Sequence, residues 1–206
     1  MRKTVFVVFA GILAIALCAV VFQSSAIGSQ APAARDLTAA ELAQVEAGEI
    51  ILESHKFKNE AGETRGRGLA IGYIKASKDK IMDTLLDYPS YPQFMPRVKK
   101  TNVYLNTPTQ VNVQFELKVM ITIVYHIKHT VNRAAGTITW VLDKSKQNDI
   151  KDTTGSWVIK PYKDGCLVYY SVSLDTGRSV PGWLEDYLTK KDLPNVVNAV
   201  KKRIEG

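Results

Sequence analysis

The sequence is poor in the residues from which metal and catalytic sites are usually built. It holds two cysteines and three histidines in 206 residues. Cys18 falls in an apolar N-terminal run, which leaves Cys166 alone, so the remaining chain can close no internal disulfide and must depend on its core. There is no Cys-x-x-Cys, no His-Glu-x-x-His and no Gly-x-Ser-x-Gly. His126 and His129 are three apart in an alternating segment, face opposite ways, and cannot chelate one metal together. His126 falls on the polar side and reads as a surface residue. His129 falls on the apolar side as a core or rim histidine, and with Tyr125 it is the only, weak, candidate for acid–base work. Gly66, Gly68 and Gly72 sit at a strand start rather than between strand and helix, which argues against a nucleotide loop. Asp143, Asp149 and Asp152 gather in a polar loop whose spacing does not fit an EF-hand, and they read as a solvated connection. No metal, cofactor or catalytic residue follows from these patterns.

Charge excludes a further class. The lysines are scattered, with doublets at Lys99-Lys100, Lys190-Lys191 and Lys201-Lys202, and no aromatics interleave them, so nucleic acid is not an expected partner. Arg2 and Lys3 precede an uncharged run from Val5 to Phe22 that ends in Gln23-Ser24-Ser25-Ala26. That pattern reads as a secretory signal over residues 1–26, or as an uncleaved N-terminal anchor. Either way the rest is expected to be exported, to the periplasm or beyond. Without Arg2 and Lys3 the net charge drops from +7 to +5, enough for a weak attraction to anionic lipid headgroups. Residues 27–46 read as a linker and short helix, with Thr38 and Glu41 in capping-box spacing. Residues 47–206 then form one domain, expected to be a monomer.

Within that domain, strand patterns cover Glu49–Phe57 and Gly68–Ile74. A helix opens at Ser77, carries Ile81, Leu85 and Tyr88 on one face, and stops at Pro89. Tyr88, Tyr91, Phe94 and Met95 then fall in a Pro-rich loop, where so many apolar groups must plug the core or line a pocket. From Val111 to Val131 the odd positions are apolar or aromatic and the even positions mostly polar, the period of a sheet with one buried and one wet face. That length needs a turn, expected near Val119–Ile121. Strands follow at Thr137–Leu142, Ser156–Ile159 and Cys166–Leu174. A helix beginning near Pro181 carries Trp183, Leu184, Tyr187 and Leu188. The last helix, with Asp192 as expected N-cap, stripes Leu193, Val196, Val197, Val200 and Ile204 along one side. The sum is an α+β domain whose final helix covers the sheet.

The segment Ile81–Val98, Gly155-Ser156-Trp157, Tyr169-Tyr170-Ser171-Val172, Val180-Pro181-Gly182-Trp183 and Leu193-Pro194 together resemble the START-like (SRPBCC) superfamily. The likeness is to its polyketide cyclase/dehydrase and coenzyme-Q-binding branch. The resemblance implies a helix-grip fold, a curved antiparallel sheet wrapped around a long C-terminal helix with an internal cavity. It implies a hydrophobic ligand (a lipid, a sterol-like molecule or a quinone) and supplies no shared catalytic set. A cyclase or dehydratase, or a membrane-associated accessory protein without a small ligand, remain alternatives. The expected cavity or gate residues are Tyr91, Phe94, Met95, Phe115, Leu117, Tyr125, Trp140, Trp157, Tyr170, Trp183 and Tyr187.

Overall fold

The alternating stretch folds as a hairpin: Gln110–Lys118 and Thr122–Asn132 pair antiparallel with Phe115 opposite Tyr125 and Val113 opposite Ile127. Odd residues pair with odd residues, so both strands turn their apolar side chains to the same face, and the bend falls at Val119–Ile121, where it was expected though no Gly or Pro marks it. The computed structural model describes residues 34–58, 62, 64–176 and 192–206. The expected leader or anchor, the helix near Pro181, and with it Trp183 and Tyr187, lie outside those residues.

The described strands are β1 (Ile51–Lys58), β2 (Thr64–Ile74), β3 (Val98–Asn106), β4 (Gln110–Lys118), β5 (Thr122–Asn132), β6 (Thr137–Leu142), β7 (Asp152–Tyr162) and β8 (Gly165–Asp175). They form one antiparallel sheet in the order β1-β2-β8-β7-β6-β5-β4-β3. Helix α1 (Ala39–Glu46) is held at its start by the full Thr38–Glu41 capping box. Helix α2 (Lys78–Leu86) is capped by Ser77 and buries Ile81, Met82 and Leu85. The segment after it is not the loop expected from its prolines. Tyr88–Ser90 makes a 3₁₀ turn and Tyr91–Phe94 a short helix α3, with a proline in the first turn of each. Proline is tolerated there because a first-turn N–H has no helical partner to lose.

The C-terminal helix α4 (Leu193–Glu205) buries Leu193, Val197 and Val200, each contributing roughly 1.5–3 kcal/mol of transfer free energy. Its approach to β2 depends on two glycines. A Cβ at Gly68 would lie 2.3 Å from Leu193 Cδ1, and one at Gly72 2.9 Å from Val197 Cγ1. Asp192 does not cap this helix with its side chain. Its carboxylate instead accepts from Arg97, at 2.6 Å from Nε and 3.0 Å from one terminal nitrogen, which ties the α3–β3 connection to the start of α4. Arg97 sits at a φ of 64°, a conformation that is sparsely populated for a residue with a Cβ.

The face opposite α4 is drier than the alternation implied. Leu69, Ile71, Tyr73, Leu167 and Tyr169 form a second core there with Val45, and Leu37 and Leu42 pack against it. Lys160 donates to the Ala34 carbonyl and Tyr169 to the Arg35 carbonyl, while Arg35 binds Glu41 and Glu53. The segment from Ala34 to α1 is therefore fastened across the outer face of β1, β2 and β8.

The Asp143–Lys151 loop also does more than connect. It runs beside the part of β5 that extends past β6, where the Val124 N–H donates to Asp149 and the His126 N–H to Asn148. Asp149 and Asp143 return their own N–H groups to the carbonyls of Val124 and His126. Unpaired strand groups are thereby satisfied. His126 is half-buried under this loop and not a free surface residue. Asp143 is 2% exposed; burial opposes its ionisation, yet hydrogen bonds from Ser145, Lys128 and Tyr104 hold it below the usual carboxylate range. No group of three potential metal ligands occurs among the described residues.

Candidate functional site

The inner face of the sheet, the one gripping α4, carries a continuous aromatic belt, and register explains why. Phe115 faces Tyr125, His129 faces Trp140, and Trp157 faces Tyr170. These pairs share one face across β4 to β8, and the rings meet. Phe115 stacks on Tyr125 at 5.7 Å, His129 lies 6.1 Å from Trp140, and Tyr170 lies 5.9 Å from Trp140 and 4.3 Å from Trp157. Gly155 makes the arrangement possible. The Trp140 indole covers it so closely that a Cβ there would be 2.1 Å from Cζ2.

The turn and helix after α2 close one side. Tyr88 packs on His129 at 4.8 Å, on Tyr91 at 5.1 Å and edge-on to Phe115 at 6.0 Å. Of the expected gate residues, Tyr91 and Met95 are buried, and Tyr91 donates to the Leu85 carbonyl at 2.6 Å. Only Phe94 stays half-buried, edge-on to Tyr91 and 5.5 Å from the Arg203 guanidinium. Phe115, Trp140 and Trp157 are buried, whereas Leu117, Tyr125 and Tyr170 are half-buried. The structure thus brings nine of the eleven expected residues to one side of the sheet; the other two are outside the described residues.

Two members of this cluster, Tyr88 and the acid–base candidate His129, were not among the eleven expected cavity or gate residues. Tyr88 continues the apolar stripe of α2, and its spacing from Ile81 and Leu85 was the available signal. His129 lies in the odd-numbered series of β5. It is 5% exposed, and its Nδ1–H donates to the Val111 carbonyl at 3.1 Å. That bond fixes the neutral tautomer and leaves Nε2 as the lone-pair nitrogen. Burial drives the imidazole pKa down to about 4, partly offset by the Val111 bond. Burial likewise pushes the phenols of Tyr88, Tyr125 and Tyr170 well above their ordinary value. These four groups are therefore neutral near pH 7. The paired inner positions of β4 to β8 carry no lysine, arginine or carboxylate.

A separate cleft of about 460 Å³ opens at the Val111 end of β4, between the end of α2 and the β3–β4 turn. Val111 and Val131 form its apolar floor, and Asp83, Asp87 and Arg133 give it a polar rim. Arg133 and Asp83 pair at 2.8 Å. The half-buried Leu117 and Tyr125 lie toward the other end of the β4–β5 hairpin, with Tyr88 and His129 between the two.

A family model described as polyketide cyclase / dehydrase and lipid transport matches residues 74–201. No curated protein matches the chain significantly. Among solved structures it is similar to the STAR-related lipid transfer protein of Xanthomonas axonopodis, at 19% identity and a TM-score of 0.62, over 75% of this chain and 94% of that one. It is similar to the Zhui aromatase/cyclase of Streptomyces sp. R1128, at 13% identity and a TM-score of 0.57, over 76% of this chain and 94% of that one. A START superfamily protein of Mycobacterium smegmatis aligns at 18% identity with a TM-score of 0.55, over 76% and 97%. At such identities the likeness establishes the helix-grip fold.

Proposed function

Because the chain belongs to the polyketide cyclase/dehydrase and lipid transport family, a fold built to hold hydrophobic ligands, we propose that it is an exported carrier for a lipid, sterol-like molecule or quinone. The ligand lies between α4 and the inner face of the sheet. The observation that carries this reading is the aromatic belt itself: an uncharged inner surface on which Leu117, Tyr125 and Tyr170 stay half-buried beside rings that are fully packed. Apolar surface covered there contributes roughly 25 cal/mol per Å². Phe94, at the rim, sits where entering ligand would pass. The N-terminal charge and hydropathy pattern supports export, as a cleaved signal or as an anchor.

Exchange with a bilayer calls for transient contact. The apolar tip of the β4–β5 hairpin suits it, since Met120 and Ile121 are 72% and 57% exposed next to the exposed Lys118. Purification of the protein from its native cellular background, followed by native mass spectrometry with lipid extraction, tests the carrier reading. A stoichiometric lipid or quinone is the expected result. A ligand-free mass that persists after incubation with lipids and quinones refutes it. A cyclase- or dehydratase-type enzyme draws on one observation only, the neutral imidazole of His129 inside the belt, and turnover of a bound ligand would favour it.

A further inference from the structure

Two polar atoms carried by buried side chains of the inner surface have no hydrogen-bond partner among the described residues. The Tyr88 hydroxyl belongs to a side chain 2% exposed and has no hydrogen-bond partner among the described residues, whereas its neighbour Tyr91 spends its own on Leu85. His129, 4.8 Å away ring to ring, uses Nδ1 on Val111 and has no partner on Nε2 among the described residues. Half-buried Tyr125, whose ring stacks on Phe115 beside them, also has no partner for its hydroxyl among the described residues. Polar atoms set singly into so apolar a surface are the kind of group that orients a ligand in a hydrophobic site.

These groups are complementary in a particular way. An imidazole Nε2 lone pair can only accept, so it needs a donor; the phenols can donate to an acceptor. From this juxtaposition we infer that the site selects hydrophobic ligands bearing a neutral hydroxyl, an alcohol, phenol or hydroquinone, whose O–H donates to His129 Nε2 while its oxygen accepts from Tyr88 or Tyr125. The inference rests on the carrier reading and narrows it. A quinone, ketone or ether offers acceptors only and leaves Nε2 unmatched. A carboxylate would enter a surface whose paired positions on β4 to β8 hold no cation, and it would pay for its own desolvation.

The experiment compares matched pairs of probes: cholesterol against cholesteryl methyl ether, and 4-dodecylphenol against 4-dodecylanisole, each titrated into the full protein. The hydroxyl partner of a pair is expected to bind about tenfold tighter, the worth of one buried hydrogen bond. His129→Asn keeps a donor for Val111 and removes the second acceptor, and it is expected to abolish the preference. His129→Gln places an amide oxygen near the Nε2 position and is expected to keep much of it. In the wild-type protein with ¹⁵N-labelled histidine, the Nε2 resonance is expected to move upfield when the phenol binds and to stay for the anisole. This last measurement needs no variant to fold. Equal binding within both pairs, a preference unchanged in His129→Asn, or an unmoved Nε2 resonance overturns the inference and leaves the carrier reading standing. Failure of all four probes to bind counts against the carrier reading itself.

Discussion

Acidification from pH 7 to pH 4 is expected to withdraw roughly 3 kcal/mol of folding stability through His129 alone. In the unfolded chain its imidazole protonates near its ordinary 6.5, whereas in the fold burial lowers this to about 4. Each pH unit between those values corresponds to about 1.36 kcal/mol. Because the folded pKa is the lower one, the unfolded state binds the extra proton. Stability is full above about 6.5, falls as the pH drops toward 4, and levels off below that. The loss is large against a typical domain stability of about 5–15 kcal/mol. No charged side chain packs on the ring among the described residues; Tyr88, Phe115 and Trp140 surround it. Desolvation is therefore the cause to be tested. Urea unfolding at half-unit pH steps, run in parallel on the protein and its His129→Asn variant, isolates the contribution as the difference between the two stability curves. The carboxylates held low, such as Asp143 and Asp164, titrate below this window and cancel in the comparison. Parallel curves from pH 6.5 to 4.5 would refute the buried neutral imidazole.

Further outcomes follow from other parts of the fold. Gly155→Ala forces a methyl against both Trp140 and the Ser171 carbonyl, 2.3 Å away, and is expected to cost about 1–3 kcal/mol by overpacking, read as a drop in Tm. Asp192→Ala removes the charge-assisted bonds from Arg97; a loss of about 1–3 kcal/mol and faster amide exchange at the start of α4 are expected. Phe94→Ser is expected to slow ligand uptake with little change in Tm, since Phe94 is half-buried; unchanged uptake rates would remove it from the entry path. Met120→Ser with Ile121→Ser is expected to weaken sedimentation with vesicles containing anionic lipid while leaving the unfolding curve in place.

Much of the architecture was legible because it rests on period. The odd-numbered series from Val111 to Val131 showed the buried face and, by its length, the need for a bend, which folds as the β4–β5 turn, and the Thr38–Glu41 box marked the start of α1. What failed was governed by context rather than pattern. Pro89 did end α2, but the segment after it read as a loop because the first-turn placement of Pro89 and Pro92 depends on where the preceding helix ends. Asp192 does stand at the N-cap position of α4, but its carboxylate goes to Arg97, 95 positions earlier, a partner that no local spacing reveals. The second core under α1 was hidden because the outer-face residues of β2 and β8 lie in near-continuous apolar runs, where alternation carries no sign of which side is wet. At the site, the aromatics stood out individually, while the pairing of Tyr88 with His129 depends on a tertiary contact between a helical turn and a strand that no local spacing encodes.

The strand order has a consequence for how the chain reaches this state. β3 to β8 are each paired with their neighbours in sequence, but β2 finds its second partner in β8, where Gly68 meets Val172. During synthesis the β1–β2 hairpin therefore waits, with one edge open, until about a hundred further residues have emerged. Contacts of such separation make folding slow, and an unpaired edge is a template for the wrong strand. The aggregation hazard of this protein thus belongs to its earliest-made hairpin, and substitutions that quicken β8 docking are expected to raise soluble yield more than they raise Tm.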